Sequence, residues 1–279
     1  MAAAKKAAPP SKTTALATWD EELAKYAAAA AKTEESAAGG QFFSIKGAQL
    51  TWNDAPIANN TLAAIVLDSV LENVYYTEEY DVDTPQSPTC FAFGRDDKTI
   101  TPHQTVVDAG QAQYGAAEQC AGCQWNEFGT ADKGKGKACR NVRRLALLAA
   151  GSFDAQGRFQ MFEDHETFES ATFGFLKIPV TSVKGYASYV KTIAETLKRP
   201  PWAIVTKITV KPDAKTQLRV TFEPLLNVPP ELLAVMKKRH DDAAAVIEFP
   251  YQLDTGEKPV KAPVSRKGAP VAKKVGRRY

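Results

Sequence analysis

Leu62-Ala63-Ala64-Ile65-Val66-Leu67-Asp68-Ser69-Val70-Leu71-Glu72-Asn73-Val74-Tyr75-Tyr76 is the stretch on which the fold turns. It is long enough for a helix. Yet Ile65-Val66-Leu67, Val70-Leu71 and Val74-Tyr75-Tyr76 gather β-branched and aromatic side chains, which crowd a helix and pack well on a pleated sheet. The run therefore predicts two buried strands.

The flanking sequence carries the same signature. Upstream, residues 42–52 alternate around Lys46-Gly47, which predicts a hairpin or bulged strand. Downstream, Arg143-Arg144-Leu145-Ala146-Leu147-Leu148 resumes the core, and residues 153–162 continue it around a turn at Asp154-Ala155-Gln156-Gly157. Further strands are predicted at 172–178, 202–210 and 216–222, the last two joined by a turn at 211–215. Three helices are predicted. One runs from a Thr18/Glu21 capping box to about Glu34, and one from a Ser182 cap with Tyr186, Val190, Ile193, Ala194 and Leu197 on one face. The third opens at Pro229-Pro230-Glu231 and runs to Val246. Many short strands with few helices predict an α+β, mainly antiparallel β fold, most simply a closed or partly open barrel with peripheral helices.

Charge divides the chain into three parts. Residues 1–12 carry three lysines and residues 258–279 carry eight Lys or Arg, with no acid in either. That leaves 24 of the 35 basic residues against all 32 acids in residues 13–257, a body of net −8 between two basic tails. The expected organisation is a basic arm, helix and linker over 1–40, a core over 41–250 and a disordered basic tail over 251–279. Basic arms of this kind commonly touch nucleic-acid phosphates. After Lys5-Lys6 the N-terminus continues Ala-Ala-Pro-Pro-Ser, without the apolar run of a secretory signal or membrane span. The expectation is a cytoplasmic protein that is not secreted and has no membrane partner.

All four cysteines lie between residues 90 and 139, spaced C-x29-C-x2-C-x15-C as Cys90, Cys120, Cys123 and Cys139. A two-residue gap on a tight turn lets two thiolates face one ion, and the loops to Cys90 and Cys139 can complete a tetrahedral set. In a reducing compartment such a cluster favours zinc, which would staple the long loop 81–136 rather than catalyse. An iron–sulfur cluster takes the same four thiolates, and a redox pair or two disulfides remain open alternatives.

Beside the cysteines, residues 132–144 interleave basic side chains with glycines, making Lys133, Lys135, Lys137, Arg140, Arg143 and Arg144 candidate phosphate contacts. Trp125 and Tyr76 are candidate stacking residues, with Phe128, Tyr75 and Tyr80 nearby. The P-loop pattern is absent, and His103, His165 and His240 are scattered without a zinc-protease or triad signature. The acidic strings 78–83 and 163–166 read as solvated surface ahead of magnesium sites. Binding is favoured over catalysis.

Five segments together resemble bacteriophage replication-associated proteins of the single-stranded-DNA-binding type: 43–47, 90–92, 120–126, 134–141 and 176–182. The resemblance spans roughly residues 42–225, and its cysteine and glycine-lysine segments are the most specific. It implies an OB-like barrel binding single-stranded DNA without chemistry, with the cysteine loop (90–139) as a zinc-stapled insertion. It also implies work in DNA replication or recombination beside other replication proteins, in the cytoplasm of an infected host cell. Such proteins often end in an acidic tail, whereas this chain ends Lys273-Lys274-Val275-Gly276-Arg277-Arg278-Tyr279. The rival readings are an iron–sulfur or metal-dependent nuclease and a zinc-containing adaptor of the replication machinery.

Overall fold

The computed structural model describes Leu23 and residues 42–78, 86–113, 119–132 and 134–253. The expected N-terminal arm and linker, Lys133 and the basic tail beyond residue 253 lie outside these residues; of the predicted opening helix only Leu23 is described. The elements, in order, are β1 (Phe42–Lys46), β2 (Gln49–Trp52), β3 (Ala55–Pro56), β4 (Thr61–Tyr75), β5 (Cys90–Gly94), α1 (Gln104–Asp108), β6 (Arg140–Phe153) and β7 (Phe159–Met161). Then follow α2 (His165–Ser170), β8 (Gly174–Ile178), α3 (Val180–Thr196), β9 (Ile204–Asp213), β10 (Gln217–Asn227) and α4 (Leu233–Val246).

The ten strands form one sheet in the order β10-β9-β4-β6-β8-β1-β2-β3, with β5 on β4 and β7 on β6. Every pairing is antiparallel except β1 with β8. The α+β, mainly antiparallel class is as expected. No ladder closes a barrel among the described residues: the sheet is open, running from β10 to β3. Leu50 of β2 and Val220 of β10, far apart in the strand order, belong to the same extended apolar cluster on the α3 face.

The decisive run is one 15-residue strand, not the two expected. Two irregularities in its pairing with β6 let it bend without breaking, at Ala63/Ala64 and at Val66/Asp68. The second resets the alternation. Ala64 and Val66 join the cluster around α3, whereas Val70 joins the one around α4. Pairing of Val70 with Arg144 and of Glu72 with Val142 then puts Glu72 and Arg144 on the α4 side. Asn73 and Tyr75 point the other way.

On one face α3 sets Tyr186, Tyr189 and Ile193 against Leu145, Leu147, Leu176 and Ile208. On the other, Met236 and Ala243 of α4 and Phe168 of α2 cover Leu67, Ala146 and Leu148. Each large side chain so buried contributes roughly 1.5–3 kcal/mol. Ser182 does not cap α3, which starts after Pro179; its hydroxyl accepts the Val220 N–H at 3.0 Å. Nor do Ala194 and Leu197 turn inward. Tyr189 is buried in their stead because its hydroxyl finds the Thr206 hydroxyl at 2.6 Å.

The turns follow their chemistry. Gly47 (φ 57°) and Ala48 (φ 62°) join β1 to β2, as a tight hairpin requires. The β9–β10 turn falls later than expected, where Asp213 accepts the N–H groups of Lys215 and Thr216. A Cβ on Gly174 would lie 2.1 Å from the Trp52 ring, so any side chain there has to displace that ring.

Candidate functional site

The strand β4 ends at Tyr75, and its neighbours bring two cysteines to that end. Tyr75 pairs with Cys90, the first residue of β5, and Val74 pairs with Arg140, the first of β6, so Cys139 comes one step before the ladder. The segment expected to be all loop thus contains β5 and the short α1. Cys120 and Cys123 flank a 3-10 turn held over this end by Cys120 N–H to Ile100 O at 2.8 Å and Cys139 N–H to Trp125 O at 2.8 Å.

All four cysteines are free thiols lining one cavity of about 20 Å³, with Asn73, Tyr75, Trp125 and Asn126 in its walls. That volume is the room of about one water-sized sphere. Cys120, Cys123 and Cys139 are buried and Cys90 half-buried. Burial, then repulsion from the other sulfurs, pushes the Cys139 thiol up to about 12. Burial likewise pushes Cys120 up to about 11, against a hydrogen bond from the Asn73 side chain that favours the thiolate. Burial also raises Cys90, partly offset by a backbone N–H from Gln113. Asn73 is itself held by the Asn141 amide at 2.6 Å. No group of three or more His, Cys, Asp or Glu side chains among the described residues is spaced to hold a metal ion as it stands.

An open groove of about 560 Å³ runs beside this knuckle, lined by Tyr75, Tyr76, Trp125, Lys137 and Arg140, with the acids Glu78 and Asp132. Its floor is a stack: the Tyr75 and Trp125 rings are 5.0 Å apart at 17°. The Arg140 guanidinium lies 5.8 Å from the centre of the Tyr76 ring, and Lys137 donates to Asn126 Oδ1 at 3.1 Å. The structure thus brings together Tyr76, Trp125, Lys137 and Arg140.

It separates the other expected contacts. Lys135 is exposed on the knuckle but does not line the groove. Arg143 points to the α3 side, its guanidinium 5.8 Å from the Tyr186 ring and its Nη1 donating to Ser69 Oγ at 3.2 Å. Arg144 is fully buried and is corrected as a phosphate contact: its Nε donates to Glu72 Oε2 at 2.6 Å, and its Nη1 donates to the Ile247 and Phe249 carbonyls. Phe93 and Phe249 sandwich the guanidinium at 4.4 and 3.9 Å. Tyr251 donates to Glu72 and accepts from Lys177, so the folded part reaches past the expected boundary at 250. The signal for this cluster was in the sequence: a glutamate within the apolar run and an arginine where the core resumes need each other.

Of the acidic strings, Glu78 is exposed and Asp164 caps α2 through the Glu166 N–H. No helix among the described residues is long and apolar enough to cross a membrane. Comparison with known protein families, with curated proteins and with solved structures gives no match to this chain.

Proposed function

We propose that the protein binds single-stranded DNA without catalysis, along the groove beside the four-cysteine knuckle. The observation that carries this reading is the shared groove of Tyr76, Trp125, Lys137 and Arg140, two aromatic rings interleaved with two cations. Rings stack bases of any sequence and cations take the phosphates between them. Glu78 and Asp132 balance the two groove cations, so stacking supplies much of the local affinity and the basic tails add a salt-sensitive share. In the resembled proteins such a groove lies on an OB barrel, and the open, mainly antiparallel sheet is read as a partly open version of it.

The knuckle is read as a zinc site of Cys90, Cys120, Cys123 and Cys139. Four soft donors line a one-sphere cavity; burial and repulsion from neighbouring sulfurs raise the Cys120 and Cys139 thiols, and the attraction of a divalent cation would offset both. Hydrogen bonds from Asn73 and the Gln113 backbone to the sulfurs are of the type that orients metal thiolates. Zinc there would hold the groove wall at Trp125 and Cys139 in place.

The test is fluorescence anisotropy of labelled single-stranded and duplex DNA with metal content assayed on the same sample. Preference for the single strand with about one zinc per chain supports the reading. Visible absorbance with DNA cleavage points to the nuclease alternative, and negligible DNA affinity with a tight replication-protein partner points to the adaptor.

A further inference from the structure

Phe128 is the most exposed large apolar side chain among the described residues, at 82%. A ring of this size gains roughly 1.5–3 kcal/mol from burial, which Phe128 forgoes. The turn that carries it is tightly made. Gly129 N–H donates to Gly136 O at 2.8 Å, the Thr130 hydroxyl donates to Glu127 O at 2.7 Å, and Ala138 N–H donates to that hydroxyl at 3.0 Å. Gly129 has φ +92°, which side-chain-bearing residues rarely adopt, so the turn is built to leave the ring outside.

Lys137 links this ring to the groove. It lines the groove, and its ammonium lies 5.2 Å from the Phe128 ring centre. The exposed neighbours Gln124, Glu127, Gly129 and Lys135 are polar or glycine, so Phe128 is a lone ring in a polar rim and not the centre of an apolar protein-docking patch. A ring beside a cation, next to an aromatic and basic groove, matches the base-then-phosphate repeat of a single strand. Resting on the strand-binding reading above, we infer that Phe128 is a base-stacking platform, on which a strand leaving the groove across Lys137 stacks its next base.

The test compares wild type with F128A, F128L and F128W, using a labelled oligo-dT of about 16 nucleotides, the upper end of an OB-type site. Affinity is read across a salt series. F128A and F128L are expected to weaken binding about tenfold with an unchanged salt slope, because the ring carries no charge, while F128W keeps wild-type affinity. Wild-type affinity in F128A or F128L, or a loss accompanied by a lower salt slope, would overturn the inference. A wild-type protein that binds no single strand would instead remove the underlying reading. Wild-type protein that binds, with F128A its equal, removes this inference alone.

Discussion

Arg144 and Glu72 form an ion pair within the fold, Nε to Oε2 at 2.6 Å, with neither side chain exposed to solvent. Two charges survive there because each has more than one partner. Lys177 adds a second cation at 3.2 Å from Glu72, Tyr251 donates to the same carboxylate, and two aromatic faces cover the guanidinium. The pair ties β4 and β6 to the segment after α4, whose Ile247 and Phe249 carbonyls Arg144 holds.

Removing one partner strands the other. Glu72→Ala or Arg144→Ala is expected to cost about 3–5 kcal/mol, whereas the paired Glu72→Leu/Arg144→Leu exchange recovers much of that loss. Urea unfolding midpoints of the three variants measure it. A single variant as stable as wild type would show the pair to be dispensable.

Metal removal is expected to loosen the knuckle and leave the sheet folded, since the two apolar clusters around α3 and α4 do not include the cysteines. If the knuckle holds zinc as proposed, a chelator, or Cys123→Ser, should release it and change Trp125 emission as its stack on Tyr75 loosens, with far-ultraviolet circular dichroism nearly unchanged. Emission unaltered by chelation of a zinc-loaded sample would contradict this.

Groove cations and tail should separate in the salt dependence of DNA affinity. Arg140→Ala and Lys137→Ala are each expected to lower the slope by about 1, and Arg143→Ala to leave it unchanged because that guanidinium lies toward Tyr186. Truncation after residue 257 removes eight cations and should lower the slope further than either groove variant. Anisotropy titrations over a salt series check all four proteins.

Stability should fall in alkali through the tyrosines beneath α3. Burial pushes Tyr186 up to about 12 and also raises Tyr189. An unfolded tyrosine loses its proton near its ordinary value of 10, whereas folded Tyr186 keeps its own to about 12. Its contribution is therefore fully present below pH 10 and lost as pH rises toward 12, about 2–3 kcal/mol in all. Denaturant midpoints at stepped pH, with Tyr186→Phe as control, measure it; the variant should flatten the decline.

The class of fold was legible because β-branched runs and turn residues are local signals, as at Val66, Val70 and Gly47. The continuity of β4 was not, since a bulge is a property of the pairing with β6 and leaves no mark in β4 alone. Nor was it legible that the sheet stays open, because that depends on which distant strands meet. At the site, the four cysteines that the spacing groups line one cavity. The basic run 132–144 read as one patch, but strand alternation splits it: Arg143 faces α3, Arg144 is buried on the other face, and Arg140 alone of the three arginines reaches the groove. Applying period-two alternation from Arg140 onward would have divided Arg143 from Arg144 at once.

The most direct test of the central claim is ultraviolet cross-linking of the protein to a single-stranded oligonucleotide, followed by peptide mapping of the attached residues. Strand binding in this groove predicts adducts concentrated on the peptides that carry Tyr76 and Trp125, suppressed by excess unlabelled single strand and not by duplex. Adducts confined to the α3 and β10 side, or none above the duplex control, would contradict it.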